Sequence, residues 1–176
     1  MASFAIPTLT TDRLRLRAFR ASDLDAYAAM RGNPEVVRYL GTGRTSTRVE
    51  VWRMMAAFLG QWALRGYGVW ACDKNRRRCF YRQRRHFPPA RLAGTGDHLS
   101  LDRPFWRQGF ATEAASAARN WLFEHFPLPR VASFIRPDNH ASKRVAKRLG
   151  AVYERTSEWR GSTYEHWVHY QTAGNS

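Results

Sequence analysis

Between Leu99 and Gly150 the chain twice runs a short apolar stretch through a polar turn into a helix, so sheet and helix must share one core. Leu99 to Leu101 predicts a short strand, Arg103 to Gly109 a turn, and Ala111 to Phe126 an alanine-rich helix ended by Pro127 and Pro129. Val131 to Ile135 then predicts a buried strand. Asn139 to Leu149 predicts a helix with Val145, Ala146 and Leu149 inward and Lys143, Arg144, Lys147 and Arg148 outward, capped by Gly150. A glycine-bearing turn that feeds a helix leaves backbone N–H groups unpaired and aimed outward, and the helix dipole adds positive charge there. Such a turn suits a pyrophosphate. Gly109 lets the backbone come close to the anion, and Arg107 adds a formal charge. By itself the turn is also what a purely structural glycine would give, since it has neither the Walker lysine nor the full dinucleotide fingerprint.

The remaining length suits one domain, residues 1–176. Leu14, Leu16 and Ala18 alternate with Arg13, Arg15 and Arg17, which predicts a first strand over residues 12 to 19 with a dry and a wet face. Ser22 offers an N-cap with Asp25 three residues on, opening a short helix through Leu24, Tyr27, Ala28 and Met30 to the stop at Gly32, Asn33 and Pro34. One further turn is expected from Pro34 to Leu40. Val51, Trp52, Met55, Phe58, Leu59 and Trp62 recur at three and four, predicting an amphipathic helix from Thr47 to Arg65 that Gly66 ends. Tyr67 to Ala71 suits a strand, and Ala151 to Trp159 with Tyr164 to Tyr170 suits a hairpin across Arg160 to Thr163.

No window approaches the ~18 apolar residues of a membrane helix, and Met1 to Pro7 carries no signal or transit pattern, so a cytoplasmic location without membrane contact is expected. Cys72 and Cys79 match neither zinc nor redox spacing and are expected to be free thiols; no metal is expected.

The net charge of +15 would ordinarily raise nucleic acid as a partner. Much of it is concentrated in one place. Lys74, Arg76, Arg77, Arg78, Arg82, Arg84, Arg85 and Arg91 fall among residues 74 to 91 with no acid between them, and there neither a helix nor a strand period holds.

Three stretches carry a resemblance: Leu9-Thr10-Thr11-Asp12-Arg13-Leu14-Arg15-Leu16-Arg17, then Leu101 through Ala114, then Asn139 through Gly150. In this order they resemble the GNAT superfamily, specifically its ribosomal-protein N-terminal acetyltransferase-like branch, over the whole chain except about residues 74 to 98. The resemblance implies an α+β fold: a mixed, mostly antiparallel central sheet flanked by helices, whose two central strands splay apart to admit the pantetheine arm of acetyl-CoA. Those strands would be Leu99 to Leu101 and Val131 to Ile135. It implies acetyl-CoA as co-substrate, and direct transfer to the amine of a protein N-terminus or a small molecule within a ternary complex. The family's Gln/Arg-x-x-Gly-x-Gly/Ala cradle falls on Trp106, Gly109 and Ala111, so tryptophan stands at its first position and Arg107, Gln108, Phe110 and Thr112 complete the cofactor turn. Asn139 matches the asparagine that hydrogen-bonds the arm, a role in which its loss should spare the melting temperature; a helix cap is the alternative. The family tyrosine that protonates the leaving thiolate would fall at Ala146, and Ser142, one turn earlier, is its replacement or else a helix-start hydroxyl. Glu113, Glu154 and Glu165 are the candidate bases, although Glu113 on the first turn of a helix suits the dipole equally well.

Two other readings compete. One is a nucleic-acid-binding module built on the basic segment with Phe80, Tyr81 and Phe87 interleaved; the other is a GNAT-like scaffold without activity. The basic segment has its own explanation. Residues 75 to 98 are expected to be aberrant or disordered because they are translated out of frame: taking the last two bases of each codon with the first base of the next allows the string FIGSVGIFHPPGWPALEIT, rich in branched and aromatic residues.

Overall fold

The computed structural model describes residues 5–74, 77–86, 94–159 and 161–171, of which those between 77 and 99 are described as backbone alone. Eight strands form one sheet: β1 (Leu9–Thr10), β2 (Arg15–Arg17), β3 (Trp70–Lys74), β4 (Arg77–His86), β5 (Gly94–Leu99), β6 (Arg130–Ile135), β7 (Val152–Trp159) and β8 (Ser162–Tyr170), in the order β1-β2-β3-β4-β5-β6-β8-β7. Every neighbouring pair is antiparallel except β5 and β6. The helices are α1 (Leu24–Arg31), α2 (Pro34–Val37), α3 (Arg48–Arg65), α4 (Phe110–His125) and α5 (His140–Arg148). This is the mixed, mostly antiparallel sheet with flanking helices that the resemblance implies.

Side chains alternate along the centre of the sheet, so β3 feeds two cores at once. Trp70 and Cys72 pack with Leu14, Leu16, Phe110, Ala114, Ala118, Trp121 and Leu122, while Val69 and Ala71 pack with Phe19, Tyr27, Met30, Val51, Met55 and Phe58. The long helix α3 starts where its sequence says it should: Thr47 accepts from the Glu50 N–H while Glu50 accepts from the Thr47 N–H. It stops at Gly66, whose φ of 69° is a left-handed conformation that costs glycine little.

Three expectations are corrected. The first strand is shorter than residues 12 to 19, and Arg17 does not lie on a wet face: it is buried, held by Asp23 at 2.8 Å and Asp73 at 2.6 Å. Those carboxylates supply the partners without which a buried guanidinium would be prohibitive. The entry to α1 runs through a 3-10 turn, Ala21–Asp23, whose Asp23 accepts the Arg20 N–H at 2.8 Å, so Ser22 lies inside the turn instead of at the N-cap position. Strand β5 ends at Leu99 instead of starting there, and β4 occupies residues where no period predicts a strand. A ladder is made by peptide groups that every residue carries, so neighbours on both sides impose it on a sequence that does not advertise it. Of residues 75 to 98, expected to be aberrant or disordered, 75–76 and 87–93 lie outside the described residues.

Candidate active site

Strands β5 and β6 run parallel and share one register pair, Gly96 with Ala132; beyond it β5 continues to Leu99 and β6 to Ile135 without further pairing. The sheet therefore opens between these strands, three residues earlier on β5 than the sequence places it. Chain leaving β5 reaches α4 through Asp102, which accepts from the Arg103 N–H at 2.8 Å, and through the exposed turn Trp106 to Gly109. Trp106 is tethered by its Nε1 to the Leu101 carbonyl at 2.7 Å, and Gln108 by its Nε2 to the Pro104 carbonyl at 2.6 Å. Arg107 (φ 60°) and Gly109 (φ 83°) are both left-handed. For Arg107 that is an uncommon and costly conformation.

The consequence is a run of bare donors. Among the described residues none of the backbone N–H groups of residues 107 to 112 has a hydrogen-bond partner, and Gly109, the N-cap of α4, offers no side chain to cap it. Arg107 forms no ion pair among the described residues, which leaves its charge available to an anion. Phe110 is the exception among the turn residues: its ring is buried against Phe105 and belongs to the core.

Beside the opening lies a small cleft of about 50 Å³, walled by Ser133 and Ile135 of β6, Asn139, Ser142, Val145 and Ala146 around α5, and His169 of β8. Asn139 and Ser142 come together as expected, but Asn139 also caps α5, its Oδ1 accepting the Ser142 N–H at 3.1 Å. That bond is the helix cap named as the alternative to a role toward the pantetheine arm. The Ser142 hydroxyl has no partner among the described residues and can donate into the cleft.

All three candidate bases are engaged. Glu113 accepts from Thr11 Oγ1 at 2.6 Å and pairs with Arg13 at 2.6 Å; burial pushes its carboxyl up, but hydrogen bonds from Thr11 and Arg13 outweigh this and hold it below the usual range. Glu154 is paired with Arg130, and Glu165 with Lys143 at 3.2 Å and with Trp167 Nε1 at 2.9 Å. Sequence reasoning missed His169. It is 3% exposed, with Nε2 3.5 Å from Ser133 Oγ, and burial together with the nearby Arg119 charge lowers its pKa to about 4, so it is a neutral imidazole at pH 7. The alternation of β8 could have flagged it as inward-facing; nothing in the sequence ties it to Ser133. Among the described residues no group of His, Cys, Asp and Glu could hold a metal, and no helix is long and apolar enough to cross a membrane. Cys72 is buried and stands opposite Cys79 in the ladder; the side chain of Cys79 lies outside the described residues.

A sheet opened beside a donor-lined helix start is suited to a long ligand with an anionic section. Residues 13–152 match the family model for the acetyltransferase (GNAT) domain, and the chain belongs to that family of acetyltransferases, which use acetyl-CoA and act on amines. It is 26% identical over 179 residues to the uncharacterized N-acetyltransferase YoaA of Bacillus subtilis (strain 168), covering 94% of this chain and 93% of that protein. Among solved structures it is similar to an acetyltransferase from Agrobacterium tumefaciens str. C58, with TM-score 0.76 and 26% identity over 97% of this chain and 98% of that one. In fold it is also similar to RimL, the ribosomal L7/L12 alpha-N-protein acetyltransferase, in complex with coenzyme A, with TM-score 0.78 and 17% identity over 93% and 98%.

Proposed function

We propose that the protein transfers the acetyl group of acetyl-CoA directly to a primary amine, of a protein N-terminus or of a small molecule, with both substrates bound together. The observation that carries this reading is the run of unpartnered N–H groups from 107 to 112 at the start of α4, beside the opening between β5 and β6. In this reading those groups and Arg107 hold the pyrophosphate, with Trp106, Gln108, Phe110, Ala111 and Thr112 shaping the turn. Asn139 lies beside the pantetheine arm, offering its amide N–H because its oxygen is committed to the helix cap.

A thioester is already activated, so the protein's work is to hold a neutral amine against it and to stabilise the oxyanion. In this reading Ser142, on the first turn of α5, relays a proton to the departing sulfur and takes one back from the water that receives the ammonium proton, so the hydroxyl ends as it began. With Glu113, Glu154 and Glu165 all paired, the ammonium proton leaves through water and not through one of these carboxylates. The test is calorimetric titration with coenzyme A, followed by thiol release from acetyl-CoA across a panel of N-terminal peptides and small amines. Micromolar binding with turnover on a member of the panel is expected. Absence of binding removes the reading, and stabilisation by coenzyme A without turnover on any amine would instead establish an inactive scaffold.

A further inference from the structure

Arg13 lies outside the turn from residue 107 to 112 and approaches it at three places, with a fourth contact to Glu113 just beyond it. Its Nη1 donates to the Gln108 carbonyl at 3.0 Å, its Nε to Glu113 Oε2 at 2.7 Å, its guanidinium covers the Phe110 ring at 4.5 Å, and its Nη2 comes within 3.2 Å of where a side chain on Gly109 would begin. The Arg13 N–H and the Thr11 hydroxyl share Glu113 Oε1, at 3.0 and 2.6 Å, which fixes the far end of the clamp. In a trans peptide the N–H points opposite to the C=O. A Gln108 carbonyl held toward Arg13 therefore turns the Gly109 N–H away from Arg13, toward the open side, and both residues flanking Gln108 are left-handed. We infer that Arg13 is a positioning residue: it holds the 108–109 peptide against the flip that would relax the turn, and so presents the donors that bind the cofactor's pyrophosphate. This rests on the proposed function.

The test compares Arg13→Ala and Arg13→Lys with the parent. The lysine keeps the charge but replaces the rigid planar fork, whose Nη1 and Nε reach Gln108 and Glu113, with a single nitrogen on a flexible stem. Both variants should bind coenzyme A at least about tenfold more weakly, the scale of losing hydrogen bonds made by a charged group, with KM for acetyl-CoA rising more than kcat falls. Amide resonances of Gly109 to Ala111 should shift in the ligand-free variants. If the parent itself binds no coenzyme A, the proposed function fails, and the clamp is judged on the resonances alone. Unchanged resonances, or affinity in Arg13→Lys within twofold of a binding parent, overturn the clamp.

A different observation carries a second inference. A strand in the middle of a sheet ordinarily alternates apolar with polar residues so that one face can join the core, yet β4, between β3 and β5, spells Arg-Arg-Cys-Phe-Tyr-Arg-Gln-Arg-Arg-His. Read from the codon of Phe80 through that of His98, the shifted string FIGSVGIFHPPGWPALEIT places IGSVGI on residues 81–86 of β4 and ALEIT on residues 94–98 of β5. Its turn-forming HPPGWP falls on residues 88–93, between the strands. We propose that residues 75 to 98 are the product of a base gained near codons 75 to 79 and one lost near codon 99. The glutamate of the string stands at Gly96, the residue paired with Ala132 where the sheet opens, so the repair returns an acid to that point.

Gene sequencing tests this sharply, because the string requires the codons of Tyr81, His86 and Asp97 to end in T and that of Gly96 to be GGA. Expression of the present and repaired chains completes it: the repaired chain should melt at least about 5 °C higher and acetylate faster. A different base at any of those four codons, or a repaired chain no more stable and no faster, overturns the proposal.

Discussion

Gly109 concentrates two demands in one residue, a left-handed backbone and close approach to an anion. With Arg13 Nη2 3.2 Å from its missing Cβ, Gly109→Asp adds strain, a clash and a negative charge beside the donors, and coenzyme A affinity measured by calorimetry should fall by at least about tenfold. Asn139 serves two partners with one amide. Asn139→Asp keeps an oxygen for the cap and should leave the melting temperature near the parent's, whereas Asn139→Ala loses the cap at about 1 kcal/mol; both should weaken coenzyme A binding. His169 predicts a pH dependence. Its folded pKa of about 4 lies below the unfolded value near 6.5, so the unfolded chain binds the extra proton and stability falls as pH drops from about 6.5 toward 4, by up to about 3 kcal/mol. Denaturant unfolding at several pH values should show this slope, and His169→Gln should flatten it; an equal slope in the variant would assign it elsewhere.

At the scale of elements, α3 shows how sequence and structure agree when one local rule after another points the same way. Thr47 and Glu50 start it, Val51, Met55, Phe58 and Trp62 bury its face, and Gly66 ends it. The site was less legible because its parts depend on distant partners. The glycine turn and the Asn139–Ser142 pair could be found from spacing, but the Arg13–Glu113 bond joins residues a hundred positions apart, and no periodicity announces it. His169 stayed hidden for the same reason. Where α3 passes into β3, Gly68 lies beneath Trp62: a Cβ there would stand 2.8 Å from the indole, whose Nε1 donates to the Val69 carbonyl at 2.9 Å. Trp62 in turn meets Trp70 and Trp121 edge-on in the core. Gly68→Ala should therefore cost about 1–3 kcal/mol by denaturant unfolding, the range of an overpacked core, and a cost near zero would mean the indole can yield.

For the whole molecule, the single register pair between β5 and β6 makes the sheet two leaves joined along a short crease, β1 through β5 on one side and β6, β8 and β7 on the other. Each leaf is zipped internally by antiparallel ladders, as in the seven register pairs between β7 and β8, while the facing edges past Gly96 and Ala132 lack each other. Unpaired edges are where a folded chain opens most easily to solvent. A ligand with amide groups lying in that crease would act as a splint, lending the edges the bonds that the strands do not give one another. Hydrogen exchange should accordingly be fastest, among the strand amides, at Ser133 to Ile135 of β6 wherever they do not already donate to β8, and coenzyme A should slow exchange in the crease more than in the β7–β8 ladder. Equal slowing in both would mean that the ligand tightens the molecule as a whole and bridges no edge.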